Sequence, residues 1–371
     1  MKICNIGKII TAKIDGATLT PDNYISTENM MSNCGGVVAA ASVPSTKVTC
    51  FAKCDVLLSN IRPYFKKVWF ARFNGGCSND VICIRANEKD CLAQYLYYAL
   101  STDSFIDSFS ASSKGTKMPR GDKNALLSYE IPDRTIDEQQ HIVDILGTLD
   151  EKIESNQKEI VFIKDFLYKK YRLLIADADT YVGKIGDLAS VKSGYAFKSS
   201  MWSDSGVGVI KIKNITETGF MDFSDCSYVD DIDTIQKASS FCVNGGELVI
   251  AMTGATIGKM ALVPNLKSFC LVNQRVGLFY EAQQKECSPY LYASMLRQDV
   301  VNEIITRGGG SAQPNISGQS IEDISIPLVS DKKIAEFNNK YKHILLKMRH
   351  LLEANEKLHE LKQLYLKKFF G

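Results

Sequence analysis

Histidine is scarce in this chain. The four present, His141, His343, His350 and His359, all fall in segments whose apolar spacing predicts long helices. None has a cysteine or histidine partner at metal-ligand spacing, which argues against a transition-metal centre. Nucleotide and catalytic signatures are missing as well. No GxGxxG opens a helix after a strand, and no G-x-S-x-G occurs. Gly254 is followed by Gly258-Lys259 and then Met260, which breaks the phosphate-loop pattern. The acids after Pro132-Asp133 have no spacing specific to a nuclease. The 11 cysteines are odd in number, contain no CxxC and come no closer than Cys50 and Cys54. That excludes a disulfide scaffold and predicts reduced core thiols in a cytoplasmic protein. No apolar run approaches the ~20 residues needed to span a bilayer, and "MKICNIGKII" has no export pattern. Neither sign of charge dominates: the net charge is +2, so any nucleic-acid surface must be a local patch. What is present is the composition of ordinary globular cores, with 45% hydrophobic and 23% charged residues. The length of 371 residues suggests two or three domains.

The chain repeats itself. "YLYYAL" begins at Tyr95 and "YLYASML" at Tyr290, 195 residues on; Pro119 and Pro314 share that shift, as do Pro132 and Pro327, which end "LLSYEIP" and "IEDISIP". Nearer the start the shift falls to 179, from Ile6-Gly7 to Ile185-Gly186. Between these anchors "CDVLLSNIRPYFKKVWFAR" aligns with "GELVIAMTGATIGKMALVP". Each is an acid-led apolar strand, a polar turn, lysines and a second strand. The turn between Gly254 and Gly258 therefore has a counterpart, which favours a duplicated binding surface over a unique catalytic loop.

Each copy has the same order of parts. Strands are expected at Val56–Ser59, Val81–Ile84, Leu248–Met252 and Val276–Tyr280. A helix is expected over Ala93–Ser108 and over its counterpart, Pro289–Ile305. A Gly- and Lys-bearing loop, a strand ending in Ile-Pro and a long helix follow. Ile142, Leu146, Leu149, Ile153, Asn156, Ile160, Ile163 and Leu167 alternate spacings of four and three, a heptad seam. The second helix offers Ile334, Phe337, Tyr341, Ile344, Met348, Leu351, Asn355, Leu358, Leu361 and Tyr365, and "LYKKY" (Leu167–Tyr171) matches "YLKKF" (Tyr365–Phe369). Each helix is expected to run about 30 residues, or ~45 Å. Two separate amphipathic surface helices would give such a pattern. One intramolecular antiparallel coiled coil fits the duplication better and brings Asn156 and Asn355 together to fix register.

The segments "IPDRTIDEQQHIVDILGTLDEKIESNQKEI", "GGELVIAMTGATIGKMALVP", "LVNQRVGLF" and "SGQSIEDISIP" together resemble the specificity subunits of type I restriction-modification systems, over essentially the whole chain. The resemblance implies an α+β fold of two pseudo-symmetric mixed α/β target-recognition domains, separated by two long helices that form an antiparallel coiled coil. The implied modules are residues 1–134 and 178–329, with spacer helices at 135–177 and 330–371. It further implies a non-catalytic cytoplasmic subunit that reads a bipartite, asymmetric site on double-stranded DNA and sets its spacer. Such a subunit docks two methyltransferase subunits and then restriction/translocase subunits. S-adenosylmethionine, ATP and Mg are expected on those partners and none on this chain; no membrane partner is implied. The alternative is a recognition subunit for a fused restriction-methyltransferase polypeptide. Two departures stand out: "LVSDKKIAEFNNKY" lacks the E-Q-Q of the first helix start, and "LLSNIRPYFKK" lacks the glycines of the second turn.

DNA contacts are expected on loops. The first copy offers Arg62, Lys66, Lys67, Lys114, Lys117, Arg120 and Lys123. The second offers Lys192, Lys198, Lys213, Asn214, Thr253, Thr256, Lys259, Arg307, Gln313 and Asn315. Lysines suit phosphates, which position a protein; amides suit adenine edges, which specify. Asn273-Gln274 fits either a DNA contact or a tie between strand and loop.

Overall fold

The computed structural model describes every residue except 114, 116–117, 217–218, 224, 283–284 and 310–313. The chain divides into two units, Met1–Lys152 with Leu358–Gly371, and Ile153–Lys357. Each unit contains a four-stranded antiparallel sheet with the same strand order. In the first the order is Gly7–Ile9, Val81–Ala86, Val56–Ser59, Val68–Phe70; in the second it is Ser190–Ser193, Val276–Tyr280, Leu248–Ala251, Met260–Leu262. The register repeats pair for pair. Leu58 faces Val68 as Ile250 faces Met260, and Leu57 faces Cys83 as Val249 faces Leu278. Each unit also carries a second four-stranded sheet that includes one parallel pair.

The unbroken apolar runs "VLLS" and "LVIA" reflect burial on both faces. Side chains alternate across a strand, so Val56 and Leu58 enter one core and Leu57 another, as Leu248 and Ile250 separate from Val249. Each such side chain contributes about 1.5–3 kcal/mol of burial. The acid that leads each strand closes the preceding turn. Asp55 accepts from the Ala52 N–H at 2.7 Å, and Glu247 accepts from the Asn244 N–H at 2.9 Å.

Three sequence expectations need correction. The single helices expected over Ala93–Ser108 and Pro289–Ile305 are each broken, into Ala93–Leu100 and Asp103–Ala111, and into Pro289–Met295 and Gln298–Gly308. At the first break Thr102 caps the next helix by accepting from the Phe105 N–H. Apolar periodicity runs through both breaks and hides them. Second, the Ile-Gly match at a shift of 179 is not the structural equivalence. Ile3 N–H donates to Tyr129 O as Ile185 N–H donates to Ile324 O, a shift of 182.

The third correction concerns the long helices, which span Ile136–Asp177 and Asp331–Phe370, 42 and 40 residues. They exceed the expected 30 because neither Gly nor Pro occurs from 148 to 182 or from 331 to 370. The first seam is as expected, with Leu149 half-buried and the other seven positions buried. The second seam follows the spacing only at alternate positions: Phe337, Tyr341, Met348 and Asn355 are buried as expected, but Leu345, Leu352 and Leu366 are buried in place of Ile344, Leu351 and Tyr365, and Leu361 is 39% exposed. Adjacent apolar pairs such as Ile344-Leu345 and Leu351-Leu352 offer two choices at those turns, and the sequence match of "LYKKY" with "YLKKF" favours Tyr365 over Leu366. In the second unit Asn156 Nδ2 donates to Asn355 Oδ1 at 2.8 Å, both side chains buried. In the first unit Lys362 replaces an apolar seam residue and pairs with Asp150, which also accepts from Tyr98 Oη at 2.9 Å.

The helix ends fasten to their domains by repeated devices. Thr135 and Glu138 form a capping box. Buried Gln139 accepts from Leu92 N–H and donates to the Asp90 and Arg134 carbonyls. In the second unit Asn338 accepts from Tyr290 N–H at 2.9 Å, which supplies this tie without E-Q-Q. Tyr95 and Tyr290 donate to the carbonyls of Pro132 and Pro327, and their rings meet Phe370 and Tyr171.

Candidate nucleic-acid interface

Geometry decides what the 254–258 turn can bind. Leu248–Ala251 and Met260–Leu262 form a β-hairpin, and the turn between them is a single 3-10 turn, Gly254–Thr256. No helix follows the strand, so its amides do not form a phosphate loop. In the first unit Val56–Ser59 and Val68–Phe70 make the same hairpin, with the 3-10 turn Pro63–Phe65.

A second loop lies along each hairpin turn, and the joint is the same in both. Arg62 N–H donates to Pro119 O at 2.8 Å, and Gly254 N–H donates to Pro314 O at 2.9 Å. Arg120 bridges Ile61, and Asn315 bridges Thr253. Thus the two loops singled out in each copy form one surface. Gly121 is required at this joint, because a Cβ there would lie 2.1 Å from the Phe109 ring. The missing glycines of the first turn leave its backbone unchanged. Cys54, Arg62 and Lys66 adopt φ of 72°, 48° and 52°, where Gly246, Gly254 and Gly258 adopt 92°, 71° and 85°.

In the first unit Arg62 and Lys123 are exposed. Arg120 is exposed and pairs with Asp80 at 2.9 Å. Lys67 is half-buried and donates to Thr27 O at 2.6 Å. Lys66 departs from expectation: it is buried and paired with Asp103 at 2.6 Å, so its ammonium is committed to that carboxylate. Lys114 and Lys117 lie outside the described residues. Sequence reasoning, which follows cations, misses Tyr64 and Phe65, exposed on the turn at 55% and 40%. The signal is an apolar "PYF" inside a polar turn.

In the second unit Thr256 Oγ1 donates to Thr253 O at 3.1 Å, and Asn315 is exposed. Thr253 Oγ1 is buried and makes no hydrogen bond among the described residues. Half-buried Lys259 lines a cavity of about 400 Å³ together with Lys164, whose ammonium burial pushes down to about 8. Arg307 donates to Ser320 O at 2.8 Å and pairs with Glu303. Lys192 stands on the sheet's edge strand over the Tyr280 ring at 4.9 Å, Lys198 is exposed, and Lys213 pairs with Asp225. Asn214 is a correction. Its side chain is buried, accepting from Lys211 N–H and donating to the Asp222 carbonyl, both at 2.8 Å, so no amide edge is left to read a base. Asn273 is likewise internal, accepting from Arg275 N–H at 3.2 Å. Gln313 lies outside the described residues. All four histidines are exposed on the long helices, and among the described residues no group of three or more His, Cys, Asp or Glu is placed to hold a metal.

The family model described as "Type I restriction modification DNA specificity domain" matches residues 3–165 and again 178–356. The chain is 26% identical over 275 residues to the type I restriction enzyme MjaVIII specificity subunit of Methanocaldococcus jannaschii, covering 68% of this chain and 64% of that protein. It is 23% identical over 178 residues to the Escherichia coli type I restriction enzyme EcoAI specificity subunit, covering 47% of this chain and 28% of that one. The chain thus spans less than two thirds of the length of each of these relatives. The fold matches the crystal structure of the type I restriction-modification S subunit from M. genitalium with a TM-score of 0.54, at 16% identity, over 100% of this chain and 95% of that one. With the domain model matched twice, on two units that repeat one sheet register and one loop joint, the chain belongs to the family of type I restriction-modification DNA specificity proteins.

Proposed function

We propose that this chain is the non-catalytic, sequence-reading subunit of a cytoplasmic type I restriction-modification complex, and that it recognises two different half-sites on double-stranded DNA. The observation that carries the reading is the repeated joint of hairpin turn and second loop, Arg62 to Pro119 and Gly254 to Pro314. One surface built twice on the same scaffold, with different side chains, suits two half-sites of different sequence, as a symmetric dimer suits a palindrome. Residues 1–134 and 178–329 act as the two reading modules. Arg62, Arg120 and Lys123, with Lys114 and Lys117, meet phosphates in the first; Lys192, Lys198, Lys259 and Arg307 do so in the second. The amides of Asn315 and Gln313 suit base edges, and Thr253 and Thr256 belong to the turn beside Asn315. The helices at 135–177 and 330–371 set the gap and dock two methyltransferase subunits, to which restriction subunits add. S-adenosylmethionine, ATP and Mg belong to those partners.

The test is an exchange of residues 181–330 for the matching segment of a relative, followed by sequencing of methylated sites in the host. One half of the target should change and the other should stay. If both halves change together, the two modules do not read independently and the proposal fails.

A further inference from the structure

Tyr64 and Phe65 stand side by side on the first hairpin turn, ring centroids 4.8 Å apart, and both are exposed. Leaving two aromatic rings in water forgoes about 1.5–3 kcal/mol each, yet the turn is held firmly in this position. Asn33 and Cys34 N–H groups donate to the Phe65 and Lys66 carbonyls at 3.0 and 2.9 Å, and Phe65 N–H donates to Arg62 O at 3.0 Å. The Lys66–Asp103 pair and the Lys67–Thr27 bond secure its trailing side. Rings fixed in advance lose little freedom on binding. Four cations stand around them against two carboxylates: exposed Arg62, half-buried Lys67 at 6.0 Å from the Phe65 ring, Arg120 paired with Asp80, and Lys66 paired with Asp103. That setting suits a polyanion better than an apolar protein groove.

The second hairpin has no such tip. By the register of the two hairpins, Thr256 and Ile257 occupy these positions. Thr256 is turned onto Thr253 O, and Ile257 is 8% exposed, packed in the core of its unit.

We propose that Tyr64 and Phe65 form an apolar wedge that enters the base stack at one step of the half-site read by the first domain, while the second domain inserts no such wedge. This inference rests on the recognition reading above. Apolar side chains that insert between base pairs unstack the step and kink the duplex, and aromatic stacking on a base supports affinity without selecting its identity. The wedge would therefore favour flexible steps, a specificity based on deformability.

The test uses the full chain assembled with its methyltransferase subunits and target duplexes carrying 2-aminopurine at successive positions. Base extrusion by the methyltransferase subunits brightens the methylated position of each half-site; beyond it, a several-fold fluorescence rise is expected at one further step of the first domain's half-site and at no further step in the other. Tyr64→Ala combined with Phe65→Ala should abolish the rise at the further step, leave that at the methylated positions, and weaken binding by on the order of tenfold per ring, with an unchanged thermal midpoint. Tyr64→Phe should keep both. Specific binding with no rise in that half-site besides the methylated position would overturn the wedge, as would an unaltered rise at the further step in the double variant. Loss of the methyltransferase subunits from the double variant, with the rise intact in whatever complex remains, would mark the tip as a protein-docking face. If the native complex shows no preference for its target over random DNA, the recognition reading itself falls, before any variant is examined.

Discussion

At Cys54, Arg62 and Lys66 the first domain holds ordinary residues in the left-handed backbone that the second domain assigns to glycine. That conformation costs an L-residue roughly 1–2 kcal/mol, so these turns are strained where their counterparts are relaxed. Lys66 and Arg62 have reasons to stay, one in an ion pair and one exposed at the loop joint. Cys54 has no such visible role. Cys54→Gly should raise stability by up to about 1 kcal/mol, read as a higher urea midpoint with unchanged slope; an unchanged or lower midpoint would show that the strain is already relaxed. The buried asparagines give a second test. Replacing Asn156 alone by Ile leaves the Asn355 amide facing an apolar surface, at a cost of about 1–3 kcal/mol. Replacing both should recover the native midpoint or exceed it, while loosening the register. A single variant as stable as the double would show that the 2.8 Å bond between them carries no weight.

Strands, hairpins and long helices are legible in the sequence because their signals are local. "VLLS" and "LVIA" read as fully buried strands, and the uninterrupted heptads read as helices. Illegible features depend on partners elsewhere in the chain. That Leu366 and not Tyr365 is buried depends on the core it enters, and the place of Lys362 depends on Asp150. The fate of Lys66 and Asn214 is set by Asp103 and by the carbonyl of Asp222. Their chemistry alone marks both as DNA-contacting residues, and that chemistry is identical for a surface lysine and a buried one. The seam itself supports a further expectation. Inserting four residues after Asn156 adds ~6 Å of helix, close to one turn, so the apolar face nearly recovers its direction. At ~3.4 Å per base pair, methylation should persist at the same two half-sites with the gap enlarged by one or two base pairs. An active variant that keeps its original gap would reduce the helices to docking surfaces.

For the molecule as a whole, a net charge of +2 means that attraction to DNA must come from the loops. Replacing Lys114, Lys117 and Lys123 by alanine should flatten the dependence of log K on log salt by up to about 0.9 for each phosphate left without its lysine; an unchanged slope would remove that loop from the interface. The division of the chain has a different kind of consequence. The second unit is one continuous stretch, Ile153–Lys357, whereas the first needs Leu358–Gly371 to complete it. Leu366 fills its core, Lys362 neutralises Asp150, and Phe370 packs against the Tyr95 ring. Domains usually fold in the order in which they are synthesised. Here the part made first must wait for residues made after the whole of the second unit, closing a loop of some two hundred residues between Lys152 and Leu358. The nascent chain should therefore mature back to front, with its amino-terminal domain the last to resist protease.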